Sequence, residues 1–255
     1  MLFSVALLLI ALPLAPLRAQ GAWQMESSEQ RPSRSPAVTH RVLSVRCGEQ
    51  TLEMQLVKFD RSRCTLRVVG LASGTTVADA ARKNGGVAGV NGGYFKPGGV
   101  PLGLVMSGGE KIHAFETAKI LSGVLVVTSR GASLLRAAEF KGETGVREAL
   151  QAGPFLVDKG RFVAGLNAGR RAERTVLLAD AEGVAALLTT SPVSLSELGQ
   201  ILATPDLLPG LKIERALNLD GGSSTALWVA ADPVPTSRPE WKPVSNALIV
   251  APAVK

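Results

Sequence analysis

The sequence predicts an α+β fold: one domain with a mixed β-sheet, a few short helices, and an active-site cleft at Gly-rich strand-end turns. Three observations carry that prediction. Short apolar runs outnumber segments with a helical period, and they do not alternate strictly with helices. The 27 glycines and 15 prolines among 255 residues demand many tight turns. A composition 46% apolar and only 19% charged supplies one sizeable core and excludes wholesale disorder.

The chain opens with an apolar run from Phe3 to Leu17, short for a bilayer and interrupted by Pro13 and Pro16. It ends in Leu17-Arg18-Ala19, so residues 1–19 read as a secretory signal peptide cleaved after Ala19. The alternative for the same run is an uncleaved anchor. Export puts the mature protein in the periplasm or outside the cell, with no stable membrane span after cleavage. Residues 20–39 are polar, Pro-interrupted and without periodicity, which predicts a flexible lead-in. The remaining 40–255 contain neither a repeat nor a linker and form one domain.

Within that domain, Arg41–Arg46 and Thr51–Phe59 alternate as strands around a turn at Gly48. Cys64–Val69, Gly123–Thr128, Phe155–Val157, Thr175–Ala179 and Val184–Leu188 also read as strands. Three helices are expected. Val77–Lys83 follows Thr76 as N-cap, with Asp79 at the capping-box position and Gly85 just past the end. Val146–Gln151 follows Thr144 and stops at Gly153-Pro154. Leu195–Ala203 follows Ser194 with Glu197 in the box, and Leu195, Leu198, Ile201 and Leu202 share one face.

Cys47 and Cys64 are the only cysteines, separated by sixteen residues in a spacing that matches no zinc pattern. Export favours a disulfide between them, worth about 3 kcal/mol in the chain-entropy model, with two buried thiols as the alternative.

The net charge of +7 suggests an anionic partner. Scattered cations and 4% aromatic content give no stacking platform for nucleic acid. A phosphate-bearing substrate or an anionic cell surface fits better. No phosphate-binding Gly-Lys pair occurs, and there is no His-Glu-x-x-His. Gly222-Ser223-Ser224-Thr225-Ala226 resembles a nucleophile elbow, but both histidines, His40 and His113, precede it.

Two segments stand apart: Gly89-Val90-Asn91-Gly92-Gly93-Tyr94-Phe95, and Ala216-Leu217-Asn218-Leu219-Asp220-Gly221-Gly222-Ser223-Ser224-Thr225. In each, an apolar strand delivers a polar side chain just before two glycines, which allow close backbone approach to a ligand. Asn-Gly and Asp-Gly are also strong hairpin signals, so either segment alone reads as a turn. Together, with the hydroxyls of Ser223, Ser224 and Thr225, they read as a site.

These two segments, with Gly153-Pro154-Phe155-Leu156-Val157 and Arg174-Thr175 between them, fall in the order seen in the phosphodiester glycosidase family, which the chain resembles over residues 40–250. Leu102-Gly103-Leu104-Val105 and Pro243-Val244-Ser245-Asn246-Ala247-Leu248 extend the likeness. Ser223 stands where the family has a third glycine, and Val176 and Leu177 replace small residues after Arg-Thr.

The resemblance implies an exported hydrolase that cleaves a sugar-1-phosphodiester. Its transition state is oxocarbenium-like and wants a nearby carboxylate, while the departing phosphate wants a guanidinium fork. Asp220 is therefore expected as nucleophile or general base and Arg174 as phosphate clamp. Asn91, Asn218 and the backbone N–H groups of Gly92, Gly93, Gly221 and Gly222 position the sugar and phosphate. Tyr94, Thr175, Ser223, Ser224 and Thr225 complete the substrate-binding set. No cofactor is expected, since one carboxylate beside Asn218 is thin support for a divalent cation at Asp220. The partner is a sugar phosphate or phosphate-bearing glycan. The competing reading is a non-catalytic cell-envelope module that binds anionic glycans with the same residues. Oligomeric state has no signal in the sequence.

Overall fold

The computed structural model describes residues 22–253. The expected signal peptide lies outside the described residues. The first four strands are β1 (Gln24–Arg31), β2 (Val38–Cys47), β3 (Gln50–Phe59) and β4 (Cys64–Gly70), followed by helix α1 (Val77–Lys83). Next come β5 (Ala88–Asn91), β6 (Val105–Ser107), β7 (Glu110–His113), β8 (Gly123–Thr128), β9 (Gly131–Arg136) and β10 (Glu148–Ala152). Then follow β11 (Phe155–Asp158), β12 (Arg161–Phe162), β13 (Ala172–Asp180), β14 (Gly183–Val193) and helix α2 (Leu195–Ala203). The chain closes with β15 (Arg215–Asn218), β16 (Leu227–Val229), β17 (Thr236–Arg238) and β18 (Asn246–Pro252).

The strands form three sheets: β1-β2-β3-β14-β13-β15-β11-β12, β7-β6-β10-β8-β9, and β17-β16-β5-β18-β4. The fold is thus mostly β. The expectation of a mixed sheet is corrected, because every pairing is antiparallel. Parallel neighbours need long, usually helical crossovers, and only two α-helices occur among the described residues. The main core lies where the three sheets face one another, joining Val57, Leu177 and Leu187 to Leu125 and Leu150, and to Val90 and Leu248.

Both helices that carry a capping box occur over the expected residues, with Thr76–Asp79 and Ser194–Glu197 reciprocally bonded. The α2 face of Leu198, Ile201 and Leu202 packs on the outer side of the large sheet. The third expected helix, Val146–Gln151, is instead strand β10, in the middle of its sheet and buried at all five positions. Glu, Ala, Leu and Gln favour helix, but tertiary partners decide here. Glu148 accepts from the N–H groups of Val68 (3.0 Å) and Gly108 (3.2 Å). The Gln151 carboxamide bonds the backbone of Leu104, Glu116 and Leu121.

The lead-in is corrected too: β1 pairs along β2 from Gln24↔Arg46 to Arg31↔His40 and adds an exposed edge strand. Its polar residues fit that position, with Glu26 bonded to Ser44 and Arg46. No disulfide joins Cys47 and Cys64. Cys47 pairs with Gln50 at the start of β3, whereas Cys64 follows the far end of that strand. A ten-residue strand spans about 33 Å, far beyond the roughly 7 Å that a bridge allows.

The Phe155 ring is fully buried beneath the Arg136 guanidinium, 4.5 Å from its centroid. Gly123 makes room for it, since a Cβ there would lie 2.5 Å from the ring. Phe155→Ala should therefore cost about 3–5 kcal/mol in urea unfolding, the scale of a lost core aromatic.

Candidate functional site

Strand β5 lies between β16 and β18 and ends at Asn91, while β15 lies between β13 and β11 and ends at Asn218. Neither Asn91-Gly92 nor Asp220-Gly221 therefore closes a hairpin. The two turns instead meet each other. Asp220 N–H donates to the Gly92 carbonyl at 3.2 Å, and Asn91 Nδ2 donates to the Asp220 carbonyl at 2.8 Å.

Asn91 is completely buried. Its Oδ1 accepts from the Thr175 hydroxyl at 2.7 Å and from the Ala226 N–H at 3.1 Å. The side chain thus ties β5, β13 and the segment after Asp220 together. A Cβ on Gly92 would collide with the Asn246 carboxamide, whose Oδ1 accepts from Gly93 N–H at 2.8 Å. Gly222 is different: at φ +62° it uses the left-handed conformation open to glycine, and its vacant side faces open space.

Beside these turns lies a cavity of about 480 Å³. Of the residues expected at the site, Tyr94, Arg174, Asn218, Asp220, Gly221 and Gly222 line it. Asn91, Gly92, Gly93 and Thr175 are buried behind that wall, as are Ser224 and Thr225. Ser223 is exposed, with its carbonyl accepting from the N–H groups of Trp241 and Lys242. Lys119 and Arg170 also line the cavity and were not anticipated. The run Arg170-Arg171-Ala172-Glu173-Arg174 reads as a solvated charged loop, and for Arg171, paired with Glu197, it is one. The start of β13 carries Arg174 inward, leaving it 8% exposed.

Arg174 Nε donates to Val193 O at 3.0 Å and an Nη donates to Arg170 O at 2.8 Å. No carboxylate lies within ion-pair distance of it among the described residues. Burial lowers its pKa, and the nearby Arg170 adds to that. Burial likewise pushes the Asp220 carboxyl above the usual aspartate range, opposed by bonds from the Ser224 hydroxyl and Gly221 N–H and by the Arg170 charge. The Tyr94 phenol is pushed up to about 12, first by burial and then by the Asp220 charge, so it stays protonated. Its O–H donates to Gly153 O at 2.6 Å and accepts from Asn218 Nδ2 at 3.0 Å. Asn218 Oδ1, also buried, has no hydrogen-bond partner among the described residues. No cluster of three or more His, Cys, Asp or Glu suited to a metal occurs among the described residues. The cavity therefore offers one carboxylate, that of Asp220, against the guanidiniums of Arg170 and Arg174 and the ammonium of Lys119.

Residues 84–251 match the model of the phosphodiester glycosidase family. No curated protein matches the chain in sequence. Among solved structures, it is similar to the catalytic domain of zebrafish N-acetylglucosamine-1-phosphodiester α-N-acetylglucosaminidase, auto-inhibited by its pro-peptide. That match has a TM-score of 0.64 at 15% identity and covers 88% of each chain. A hypothetical protein from Synechocystis matches at TM-score 0.61 and 19% identity, over 88% of this chain and 64% of that one. A putative exported protein of Burkholderia pseudomallei matches at 0.55 and 15%, over 79% and 74%. The structures share the fold; the family model spans most of the folded chain, which belongs to the phosphodiester glycosidase family.

Proposed function

We propose that this protein is an exported hydrolase that cleaves a sugar-1-phosphodiester in the cavity beside the two glycine turns, releasing the sugar and a phosphomonoester. The observation that carries this reading is Arg174: a buried guanidinium with no carboxylate partner, lining the same cavity as Asp220. An unpaired buried charge is costly, and a phosphodiester anion is the ligand that would match it. The Asn218 side chain, the phenol of Tyr94 and the N–H group of Gly222, all on residues that line the cavity, would orient the sugar. The apolar leader supports export.

In the proposed reaction the bond between the anomeric carbon and the phosphate oxygen breaks, and its electron pair leaves on that oxygen. Arg174, with Arg170 near it, stabilises the charge collecting there. Asp220 supplies the carboxylate that meets the electron-poor carbon, either as nucleophile or as base toward water. As nucleophile it forms a glycosyl ester that water then hydrolyses; as base it takes the proton of the attacking water. A phosphomonoester leaves without needing a strong acid, which suits a cavity with one carboxylate.

Asp220→Asn should lower turnover of a chromogenic sugar phosphodiester by at least about a hundredfold while Kd holds or improves. The melting temperature at neutral pH should hold or rise, because burial disfavours the charged carboxyl in the folded state. Arg174→Ala should weaken binding by about 1.5–3 kcal/mol, and Arg174→Lys should restore only part of that. Unchanged turnover in Asp220→Asn removes it from the reaction. A wild type that retains the ligand across a panel of sugars without cleaving any marks a binding module.

The pH profile gives a separate check. The carboxylate form is the active one, and burial raises its pKa, so kcat/KM should rise with pH along an acid limb centred above the ordinary aspartate value. Arg170 holds that pKa down, so Arg170→Gln should move the limb to higher pH. A limb that does not move excludes Asp220 as the titrating group.

A further inference from the structure

A second, larger cavity, of about 640 Å³, lies across β13 from the first. Neighbouring residues of a strand face opposite ways, so Arg174 enters the first cavity and Glu173 the second. The Glu173 carbonyl lies against Gly221, where a Cβ would come within 2.7 Å. Strand β13 and the Asp-Gly-Gly turn thus form a wall common to both.

The electrostatics of the two cavities differ. The first sets Lys119, Arg170 and Arg174 against Asp220 and suits an anion. The second holds Arg31 and Arg238 against Glu53 and Glu173, a balanced set, with Arg238 and Glu173 in an ion pair. A phosphate gains nothing there over water. Donors and acceptors side by side suit hydroxyl groups, each of which can give one hydrogen bond and accept others.

The same cavity carries Trp241, 81% exposed, the most exposed large apolar side chain among the described residues. Its backbone N–H is tied to Ser223 O at 2.9 Å, which fixes the base of the indole to the Asp-Gly-Gly segment. Behind the accessible groups, His40 and Thr189 are fully buried, and His40 Nδ1 and Thr189 Oγ1 lack partners among the described residues. The other His40 nitrogen, Nε2, is 3.0 Å from Gln55 Oε1. A large flat apolar ring beside a neutral collection of planar polar side chains is the chemistry that takes a pyranose: its C–H face lies on the indole, and its rim of hydroxyls meets carboxylate, guanidinium and carboxamide.

We propose that this cavity is a second carbohydrate site, which holds a neutral sugar unit of a glycan on Trp241, outside the cavity of the proposed reaction. The site works by binding alone and needs no turnover.

The test uses the full chain carrying Asp220→Asn, titrated with neutral malto-, cello-, manno- and chito-tetraose by calorimetry and by NMR of the tryptophan indole N–H groups. At least one sugar should bind saturably and shift the Trp241 signal. Trp241→Ala should weaken that binding by about tenfold and Trp241→Phe by less, with melting temperatures kept. Asp220→Asn and the wild-type residue should bind the sugar equally. No saturable binding by any of the four sugars overturns the proposal, as does binding indifferent to Trp241→Ala. Insertion of Trp241 into phosphatidylglycerol vesicles in place of sugar binding overturns it too. Cleavage of a short sugar phosphodiester by the unmutated protein is scored separately, so either reading can fail while the other stands.

Discussion

The Asn91 carboxamide is the contact on which the site depends. It is fully buried, and both of its polar atoms are used within the protein. Through it one end of β5, in the sheet built on β16 and β18, is fastened to Thr175 in the large sheet and to the backbone of Asp220 and Ala226. A carboxamide can do this because it presents donor and acceptor in one rigid plane; an aspartate in its place would offer acceptors only. With those bonds made, the two glycine turns are parts of one wall. A constellation of side chains held this way stands on strand ends rather than on a loop, which is where position is most precisely maintained.

That arrangement also explains which parts of the molecule were legible in the sequence. Helices announced by a capping box, Thr76–Asp79 and Ser194–Glu197, occur over the expected residues, because the box is a local device whose partners sit three residues apart. The two polar-Gly-Gly turns were equally visible. That they belong together was expected from their shared design, but the contact that joins them, between Asn91 and Asp220 129 positions apart, has no local signature. β10 was misread as a helix because its composition favours one, while what holds it as a strand comes from distant Val68, Gly108 and Leu104. Polar β1 was misread as a lead-in because an edge strand need not carry an apolar face; its partner β2 supplies the order. The disulfide failed for a related reason. Sequence spacing says nothing about direction, and β3 carries the chain from one end of the sheet to the other between the two cysteines.

Candidate roles divide along the same line. The motif residues appear in sequence as one group, but the structure sorts them into wall and brace. Tyr94, Arg174, Asn218 and Asp220 face the cavity, whereas Asn91, Thr175 and Ser224 stand behind it and bond their neighbours, and Thr225 is buried there with its hydroxyl unpartnered among the described residues. Composition cannot make that distinction, because Asn, Thr and Ser serve equally well to bond a ligand or a neighbouring strand. Only burial and the identity of each partner separate the two.

The treatment of arginine across the molecule shows where the chain departs from its own habits. Arg61, Arg136, Arg215 and Arg238 are each less than a third exposed, and each is matched by a carboxylate: Asp180, Asp158, Glu139 and Glu173 respectively. Those pairings offset the cost of taking a charge out of water. Arg174 is buried more deeply than any of them and has carbonyl oxygens alone for partners. Arg170 stands near it with its own positive charge, and both line the cavity that holds Asp220. Sequences meet the demands of local bonding nearly everywhere and fall short where a ligand completes the set. The unmatched charge is the physical ground for the proposed substrate: an anion whose oxygens would supply what the protein withholds, beside the Asp220 carboxylate that lines the same cavity.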